Sequence, residues 1–415
     1  MHRTPSLASC ITLVLTVVAA VSAGQPASFQ GLGDLPGGDF SSWGYALPAD
    51  GSAVIGSSDV GQMLSQTFRW TQAEGIDCLR DLSGACVEWS AIGISGDGSV
   101  VVGHFLIGGE GVRWTVSGGI ELLNPGVMSA PYDASADGSV IVGQARFGGS
   151  DSYDHTFRWT QAGGMVDLGT LGGPNSAAHS VSADGSVVVG ISESSPPFNV
   201  QAFRWTEAEG MVGLGGLSEG ATQSTAEAVS ADGSVIVGGS ESPVGFEAFS
   251  WTQEGGMAAL GFLPGGFVSS RATAVSADGS VIVGRSRTDP LFAEVFIWDS
   301  IHGMRNLREV LIEQGVTDVV DWTLKHAPVI SADGQTIAGS GANPNGDLEG
   351  WIATLLLHPG ACPADLDGDH EVNAADLAQL LGAWGPNPGH PADFNGDDVV
   401  NAADLAQLLG TWGPC

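Results

Sequence analysis

One nine-residue phrase, Ser-Ala-Asp-Gly-Ser-Val-Ile-Val-Gly, recurs with small changes seven times along the 415-residue chain. Successive aspartates of its Asp-Gly pairs are 47, 40, 47, 48, 46 and 55 residues apart. A nearly constant period of this length indicates a repeat architecture in which each repeat is one supersecondary unit. The pairs begin at Asp50, Asp97, Asp137, Asp184, Asp232, Asp278 and Asp333.

Each repeat contains the signals of four short β-strands, which we label a to d. The Asp-Gly pair predicts a type I′ hairpin turn between strands a and b, and the β-branched Val-Ile-Val run predicts strand b. Strand c carries a Phe-Arg-Trp-Thr phrase, as at residues 157–160, and strand d carries a Gly-Met phrase, as at residues 164–168. Four-stranded repeats of this length are typical of propeller blades.

The two ends of the repeat region hold unmatched strands that complement each other. Residues 31–35 look like a strand d without a preceding c, and the segment around Trp351 is a strand c without a following d. Placing the first strand beside the last completes a seventh blade and removes an open sheet edge. The prediction is an all-β, seven-bladed β-propeller over residues 24–357. A β-solenoid is the alternative, and it would not need the unmatched strands to complement each other.

The repeated phrases also resemble the HAF repeats of bacterial extracellular proteins. The resemblance covers roughly residues 30–355, and the Ser-Ala-Asp-Gly and Phe-Arg-Trp-Thr phrases carry it together with the closing segment at residues 350–353. It implies an exported repeat protein and no particular reaction.

The N-terminus has the features of a secretory signal peptide. An apolar run from Ile11 to Val21 follows Arg3 and precedes a Val-Ser-Ala cleavage site, so we expect residues 1–23 to be removed. No second apolar stretch is long enough to span a membrane. The prediction is a secreted, extracellular protein, free or attached to the cell surface, with no transmembrane segment in the mature chain.

The charge of the chain argues against nucleic acid as a partner. The formal net charge is −33, and only 13 residues are Lys or Arg. Nucleic-acid phosphates require a cationic surface, whereas an acidic chain suits calcium or a solvated extracellular surface.

Loss of the signal peptide would leave four cysteines, and an even number in a secreted chain indicates disulfides. We predict the pairs Cys78–Cys86 and Cys362–Cys415. The alternative for the first pair is that both thiols stay free.

Residues 358–415 form a predicted second domain with two acidic segments 28 residues apart. Their oxygen-bearing residues match positions 1, 3, 5, 7, 9 and 12 of a calcium-binding loop, with a backbone carbonyl at position 7. Two Ca²⁺ ions are therefore predicted, although glycine lies at position 4 rather than 6 and aspartate replaces glutamate at position 12. The predicted ligands are Asp365, Asp367, Asp369, Glu371, Asn373 and Asp376 in the first loop and Asp393, Asn395, Asp397, Val399, Asn401 and Asp404 in the second.

Both loops run into the same helical sequence, Ala-Asp-Leu-Ala-Gln-Leu-Leu-Gly, with Leu377, Leu380 and Leu381 on one face and Gly382 as a stop. The duplicated loop-then-helix pattern resembles the type I dockerin from Asp365 to about Gly413. The resemblance implies docking onto a cohesin-like module or another surface protein. In that family, loop positions 10 and 11 help to select the partner. Here the pairs are Ala374-Ala375 and Ala402-Ala403, which suit a different, more apolar contact or a purely structural module.

Two functions remain open at this stage. The first is a non-catalytic surface or scaffold-attached protein whose propeller binds a ligand, with a glycan as a candidate. The second is a polysaccharide-degrading enzyme, a glycoside hydrolase or lyase, because dockerins usually accompany such enzymes.

Any ligand is expected on the face of the propeller that holds the b–c and d–a connections, here termed the long-loop face. These connections vary between repeats, and variable loops on a rigid scaffold usually carry binding. The predicted ligand-binding residues are Tyr45, Trp89, Tyr132 and His179. In the long seventh repeat, residues 307–314 predict a short helix that either caps the last blade or inserts into a substrate site.

Overall fold

The computed structural model describes residues 26–61, 64–80, 83–86, 89–147, 153–195, 199–265, 267–289, 293–356, 364, 366, 371–387, 390–395, 399–410 and 412–414. Within these residues, seven antiparallel four-stranded sheets follow one another along the chain. They form the predicted seven-bladed β-propeller. The predicted signal peptide lies outside the described residues.

Strand β1 (Ser28–Gly31) precedes the first blade, and the next six blades are each built from four consecutive strands. Blades 1 and 2 contain β2 (Ser42–Ala46), β3 (Ala53–Gly61), β4 (Leu64–Thr71) and β5 (Gly75–Cys78), then β6 (Ser90–Ile94), β7 (Val100–His104), β8 (Gly111–Thr115) and β9 (Gly119–Leu122). Blades 3 and 4 contain β10 (Ser129–Ala134), β11 (Val140–Ala145), β12 (His155–Thr160) and β13 (Gly164–Asp167), then β14 (Gly172–Val181), β15 (Val187–Ser194), β16 (Val200–Thr206) and β17 (Gly210–Gly213).

Blades 5 and 6 contain β18 (Ser224–Val229), β19 (Val235–Glu241), β20 (Phe246–Thr252) and β21 (Gly256–Gly261), then β22 (Ser270–Val275), β23 (Ile282–Arg287), β24 (Ala293–Asp299) and β25 (Gly303–Asn306). Helix α1 (Leu307–Glu313) leads into blade 7, which contains β26 (Thr323–Ile330), β27 (Thr336–Ala342) and β28 (Leu348–Thr354). In every blade strand a is innermost, and it packs beside the a strands of the neighbouring blades.

Blade 7 is closed by the first strand of the chain, as predicted. β1 pairs antiparallel with β28, from Ser28 opposite Thr354 to Gly31 opposite Trp351. The predicted bounds of this strand are wrong, because β1 ends at Gly31, where the predicted strand of residues 31–35 begins. The reason is that Leu32-Gly33 matches the Leu-Gly that follows strand d in other repeats, so it belongs to the connection and not to the strand.

The prediction of a type I′ turn at Asp-Gly is wrong. In blade 2, Gly98 N–H donates to the Ser95 carbonyl at 2.9 Å, so the central residues of the turn are Gly96 and Asp97. Gly98 has a φ of +72°, whereas Gly96 is not among the residues with positive φ. The Asp97 carboxylate accepts from the Ser95 hydroxyl at 2.6 Å and from Ser99 N–H at 2.9 Å. The Ser-x-Asp-Gly-Ser pattern is thus a hydrogen-bonded four-residue loop.

These turns also join the blades to one another. Ala136 N–H donates to the Ala183 carbonyl at 2.9 Å, and equivalent bonds link each blade to the next. The seventh bond, from Ala332 N–H to the Ala49 carbonyl at 2.8 Å, returns to blade 1. The face of the propeller that holds the Asp-Gly turns, here termed the Asp-Gly face, therefore carries a closed ring of backbone hydrogen bonds.

The core lies between successive blades. The phenylalanine of each Phe-x-Trp phrase is fully buried, as in Phe157, Phe203 and Phe249. Phe249 of blade 5 packs with Val187 and Val189 of blade 4. Large apolar side chains between adjacent sheets supply most of the stabilisation of such a fold.

Helix α1 caps the last blades. Its buried side chains, Leu307, Val310 and Leu311, belong to the cluster that also contains Phe29 and Trp351. The Asn306 side chain caps its N-terminus by accepting from Arg308 N–H at 3.0 Å. This packing supports the capping interpretation of the seventh-repeat helix.

The C-terminal residues form two intertwined copies of one motif. The first contains β29 (Glu371–Val372), α2 (Ala374–Gly382) and β30 (Gly385–Pro386), and the second contains β31 (Val399–Val400), α3 (Ala402–Gly410) and β32 (Gly413–Pro414). The strands pair between copies, β29 with β32 and β30 with β31. Val372, Leu380, Val400 and Leu408 form the buried centre. The prediction that Leu381 shares this core face is wrong, because its side chain is 52% exposed.

The predicted disulfide Cys78–Cys86 is present, with the two Cα atoms 5.6 Å apart. It links the end of β5 to the connection that leads into blade 2. Cys362 and Cys415 lie outside the described residues, so their pairing stays a prediction. Among the described helices, none has the length and apolar character needed to cross a membrane.

Candidate functional site

The innermost strand of each of the first six blades carries a β-bulge at the same place. The pairing with strand b shifts by one residue, always five positions before the Asp-Gly aspartate, as for Tyr45 and Asp50. A bulge re-aims the side chain of its extra residue and leaves that residue unpaired. The bulge residues are Tyr45, Ile92, Tyr132, His179, Glu227 and Thr273.

The bulge explains the glycine that ends each Val-Ile-Val-Gly phrase. A Cβ atom on Gly103 would overlap the Ser90 carbonyl, and one on Gly190 would overlap the Ala177 carbonyl. Glycine is needed here because the bulged strand approaches the backbone closely. The scaffold is therefore constant at this position, while the bulge residue beside it varies.

The bulge residues of blades 3, 4 and 5 contact one another across the blades. The Tyr132 and His179 rings are 6.2 Å apart and lie edge to face. His179 Nδ1 lies 3.2 Å from Glu227 Oε2, and Arg271 of blade 6 donates to Glu227 Oε1 at 3.0 Å. The propeller thus holds a continuous polar line from Tyr132 through His179 and Glu227 to Arg271.

Glu227 is ionised throughout the physiological range. Burial alone would raise its pKa, but the hydrogen bond and charge of His179 and the charge of Arg271 outweigh burial and lower the pKa to about 2. This carboxylate is therefore a fixed negative charge held between the His179 ring and the Arg271 guanidinium.

A basic cavity of about 500 Å³ adjoins this line at blades 6 and 7. Its lining residues lie at the start of β22, the end of β23 and the start of β24, which places it at the long-loop face. The Arg271 guanidinium lies over the Phe246 ring, 5.0 Å from its centroid. The His326 ring is 4.6 Å from the Trp43 ring of blade 1. The side chains that give the cavity its character are Phe246, Arg271, Arg285, Arg287, Lys325 and His326.

The structure brings together only two of the four predicted ligand-binding residues. Tyr132 and His179 are neighbours in the polar line, whereas Tyr45 stands apart in blade 1, with its hydroxyl 2.8 Å from Ser57 Oγ. Trp89 is not accessible to a ligand, because it is 1% exposed. Its side chain packs in the core with Ile55, Val101 and Val112. It occupies the position of a buried serine in other blades, such as Ser129, so its place in the core is set by the scaffold.

Sequence reasoning missed Glu227 and the combination of basic residues. Aligning the repeats on Asp-Gly would have placed Glu227 with Tyr132 and His179, because each stands five residues before its aspartate. Another position of the repeat, seven residues before the Asp-Gly aspartate, is occupied by Arg271, His326 and Trp43. The signal was therefore a position within the repeat rather than a residue type.

In the C-terminal domain, the structure describes part of each predicted calcium loop. Asp365, Asp367, Asp369 and Asp397 lie outside the described residues, as does the side chain of Glu371. The Asn373 side chain caps α2 by accepting from Ala375 N–H at 2.7 Å, and Asn401 accepts from Ala403 N–H at 2.8 Å. The Val399 carbonyl accepts from the Asn401 amide at 2.8 Å. Asp393 and Asn395 stand just before β31 at the start of the second loop.

The two position-12 aspartates tie each loop to its helix. Asp376 accepts from Asn373 N–H at 2.8 Å and from Leu366 N–H at 2.6 Å. Asp404 makes the equivalent bonds to Asn401 N–H and Phe394 N–H, both at 2.9 Å. Each carboxylate therefore faces the interior of its own loop.

The donor set of these loops fits Ca²⁺. Asp404 is fully buried, and residues 358–415 contain no Lys or Arg that could neutralise it. A buried carboxylate requires compensating charge, and calcium binds carboxylate, amide and backbone carbonyl oxygens of the kind present here. When bound, the ion would neutralise the loop carboxylates and hold the loop closed on its helix.

Comparison with known proteins agrees with this assignment. Residues 363–409 match the family model of the dockerin type I domain. This part of the chain is therefore a dockerin domain. Such domains bind calcium and a cohesin partner and occur in extracellular proteins. The number of bound ions and the HAF resemblance stay predictions. No curated protein sequence matches the chain significantly.

The chain is also similar to solved structures. An oligogalacturonate lyase from Vibrio parahaemolyticus is similar with a TM-score of 0.52 and 12% identity, over 79% of this chain and 97% of that chain. TolB from Acinetobacter baumannii is similar with a TM-score of 0.42 and 14% identity, over 75% of this chain and 84% of that chain. At this level of identity the likeness to the lyase shows the fold alone.

Proposed function

We propose that this chain is a secreted, non-catalytic binding protein. Its propeller binds a glycan at the long-loop face, and its dockerin domain attaches it, with calcium bound, to a cohesin-bearing partner or cell surface. The observation that carries the proposal is the variation of side chains at one bulge position on a scaffold that is otherwise repeated.

The variation at this position is large. Tyr45, Tyr132, His179 and Glu227 occupy equivalent places, although the glycines and turns around them are nearly constant. A repeated scaffold needs no particular side chain at a bulge residue, so these positions can carry recognition groups without disturbing the fold. Tyrosine and histidine offer both a flat ring and a hydrogen-bonding group, as sugar recognition requires.

The charge state of Glu227 favours binding over catalysis. A general acid or base works best when its pKa lies near the working pH. The pKa of Glu227 is about 2, and both of its oxygens already contact His179 or Arg271. A polysaccharide-degrading enzyme is the alternative, and it would have to use other groups.

The attachment surface is proposed on the dockerin helices. Leu381 and Trp384 are 52% and 48% exposed, and their counterparts in the second copy, Leu409 and Trp412, are 51% and 49% exposed. Contiguous exposed apolar patches usually mark an interaction site, and we infer that these repeated side chains form such a patch. The small Ala-Ala pairs at loop positions 10 and 11 leave these side chains accessible to an apolar partner.

A glycan array tests the binding function directly. The mature protein is expected to bind at least one glycan class, and replacing Tyr45, Tyr132 and His179 together with alanine is expected to reduce that binding at least tenfold. Val116→Ala is the control, because Val116 is 79% exposed and lies in a c–d turn, on the opposite face of the propeller.

Two outcomes would contradict this function. One is unchanged binding by the triple variant, provided that its melting temperature equals that of the unsubstituted protein. The other is release of new reducing or unsaturated ends from the bound glycan, which would favour the enzyme.

A further inference from the structure

The cations of this acidic protein are concentrated in one place. Only 13 of its 415 residues are Lys or Arg, and the net charge is −33. Four of these cations, including the only lysine of the chain, line the cavity at blades 6 and 7. A positive cavity on a negative surface focuses the electrostatic field and attracts anions that the rest of the protein repels.

Two of these residues face each other in an arrangement that folding alone disfavours. Arg271 and Arg285 are cross-strand partners in blade 6. Like charges in such a pair are destabilising. Glu227 pairs with Arg271, but among the described residues no carboxylate forms an ion pair with Arg285 or Arg287. The Arg285 Nε atom is buried and has no hydrogen-bond partner among these residues.

The pKa values of two cavity residues reflect this concentration of positive charge. Burial and the positive charge of Arg271 lower the pKa of Arg285, and the opposing charge of Glu227 offsets this only in part. Burial and the charges of Arg285 and Lys325 lower the pKa of His326. An anion in the cavity would relieve this repulsion and supply acceptors for the guanidinium groups.

We propose that this cavity binds the carboxylate groups of an acidic oligosaccharide. The proposal rests on the proposed glycan-binding function and names the class of glycan. Guanidinium groups bind carboxylates through two parallel hydrogen bonds, and three of them converge here. Phe246 beneath Arg271 and Trp43 beside His326 supply flat apolar surfaces next to the cations, where a sugar ring can pack. The volume of about 500 Å³ admits one or two sugar residues.

The test is titration calorimetry of the mature protein with tetragalacturonate as the carboxylated probe. Arg285→Met and Arg287→Met are each expected to weaken binding at least tenfold. Arg287 is exposed, so its substitution tests the site without risk to the fold. Arg69→Met is the control, because it removes the same charge from an exposed strand-c residue that pairs with Glu74 at 3.6 Å. Its affinity should match that of the unsubstituted protein.

A fourth variant, Glu227→Gln, removes the carboxylate that competes for Arg271. It should bind tetragalacturonate more tightly than the unsubstituted protein, because Arg271 then has no competing carboxylate partner in Glu227. Binding should also weaken as sodium chloride is raised, because salt screens charge pairing.

Two comparison ligands decide the ligand class. Equal affinity for the neutral maltotetraose would overturn the proposal, as would binding of inorganic sulfate as tight as that of tetragalacturonate. Binding that is equal in all four variants would also overturn it.

Failure of this proposal is distinguishable from failure of the glycan-binding function. A neutral glycan that depends on Tyr132 and His179 but not on Arg285 would leave that function standing and refute the acidic class. Absence of binding to any glycan would refute both.

Discussion

Deleting residues 26–31 is expected to abolish cooperative folding of the propeller. These residues contain β1, the only strand that pairs with the outer edge of β28 within the described chain. Without it, blade 7 becomes a three-stranded sheet with an open edge, and the buried Trp351 loses its cover. Circular dichroism and thermal unfolding should show loss of the propeller transition or a large fall in its midpoint.

A single substitution measures the same contact in a folded protein. Phe29 is 4% exposed, and its ring lies 5.1 Å from Trp322 and 5.9 Å from Trp351. Phe29→Ala should lower the free energy of unfolding by about 3–5 kcal/mol, as for other buried aromatic residues. Gln30→Ala is the control, because Gln30 is exposed in the same strand, and its effect should stay within about 0.5 kcal/mol. Equal stability of the two variants would contradict closure by β1.

Removal of calcium is expected to unfold the dockerin domain and leave the propeller intact. The loops are rich in carboxylates, and this region contains no Lys or Arg. Without the ion these carboxylates repel one another, and the buried Asp404 loses its compensating charge. A ligand that binds only the folded state at a thousand times its Kd stabilises that state by about 4 kcal/mol.

Differential scanning calorimetry of the mature protein can separate the two domains. In calcium, two transitions are expected, and excess chelator should remove or strongly lower the dockerin transition alone. Asp404→Asn should lower that transition even in calcium. Asp398→Asn is the control, because Asp398 stands at loop position 6, which is not a predicted ligand position. A dockerin transition that does not respond to chelator would contradict calcium binding.

The sequence predicted the architecture because its signals were periodic. Seven Asp-Gly phrases fixed the number of blades, and the complementary ends fixed the closure. The error in β1 arose because Leu32-Gly33 repeats as faithfully as the strand before it, so similarity alone did not separate strand from connection. The error in turn type arose because Asp-Gly is favoured in more than one kind of hairpin loop, so the pair alone did not decide between them.

The candidate site was less predictable, since it depends on neighbours that are distant in sequence. Trp89 looked like an exposed aromatic, but its position in the repeat is a core position. Arg271 and His326 belong to successive blades, and the packing of blade 6 against blade 7 brings them to one cavity. Leu381 lies on the apolar side of its helix in the sequence pattern, yet it is exposed. The second copy of the motif packs on Leu380 instead. Such contacts follow from the packing of whole blades or copies and not from any local pattern.

The most direct test of the account is calcium-dependent capture of the mature protein by immobilised cohesin modules. Surface plasmon resonance should show binding to at least one cohesin of a panel in calcium, and full release in chelator. Trp384→Ala combined with Trp412→Ala should abolish capture without changing the propeller transition, since these exposed rings form the proposed contact. Capture that persists in chelator, or that the double variant retains in full, would contradict attachment through the calcium-loaded dockerin domain.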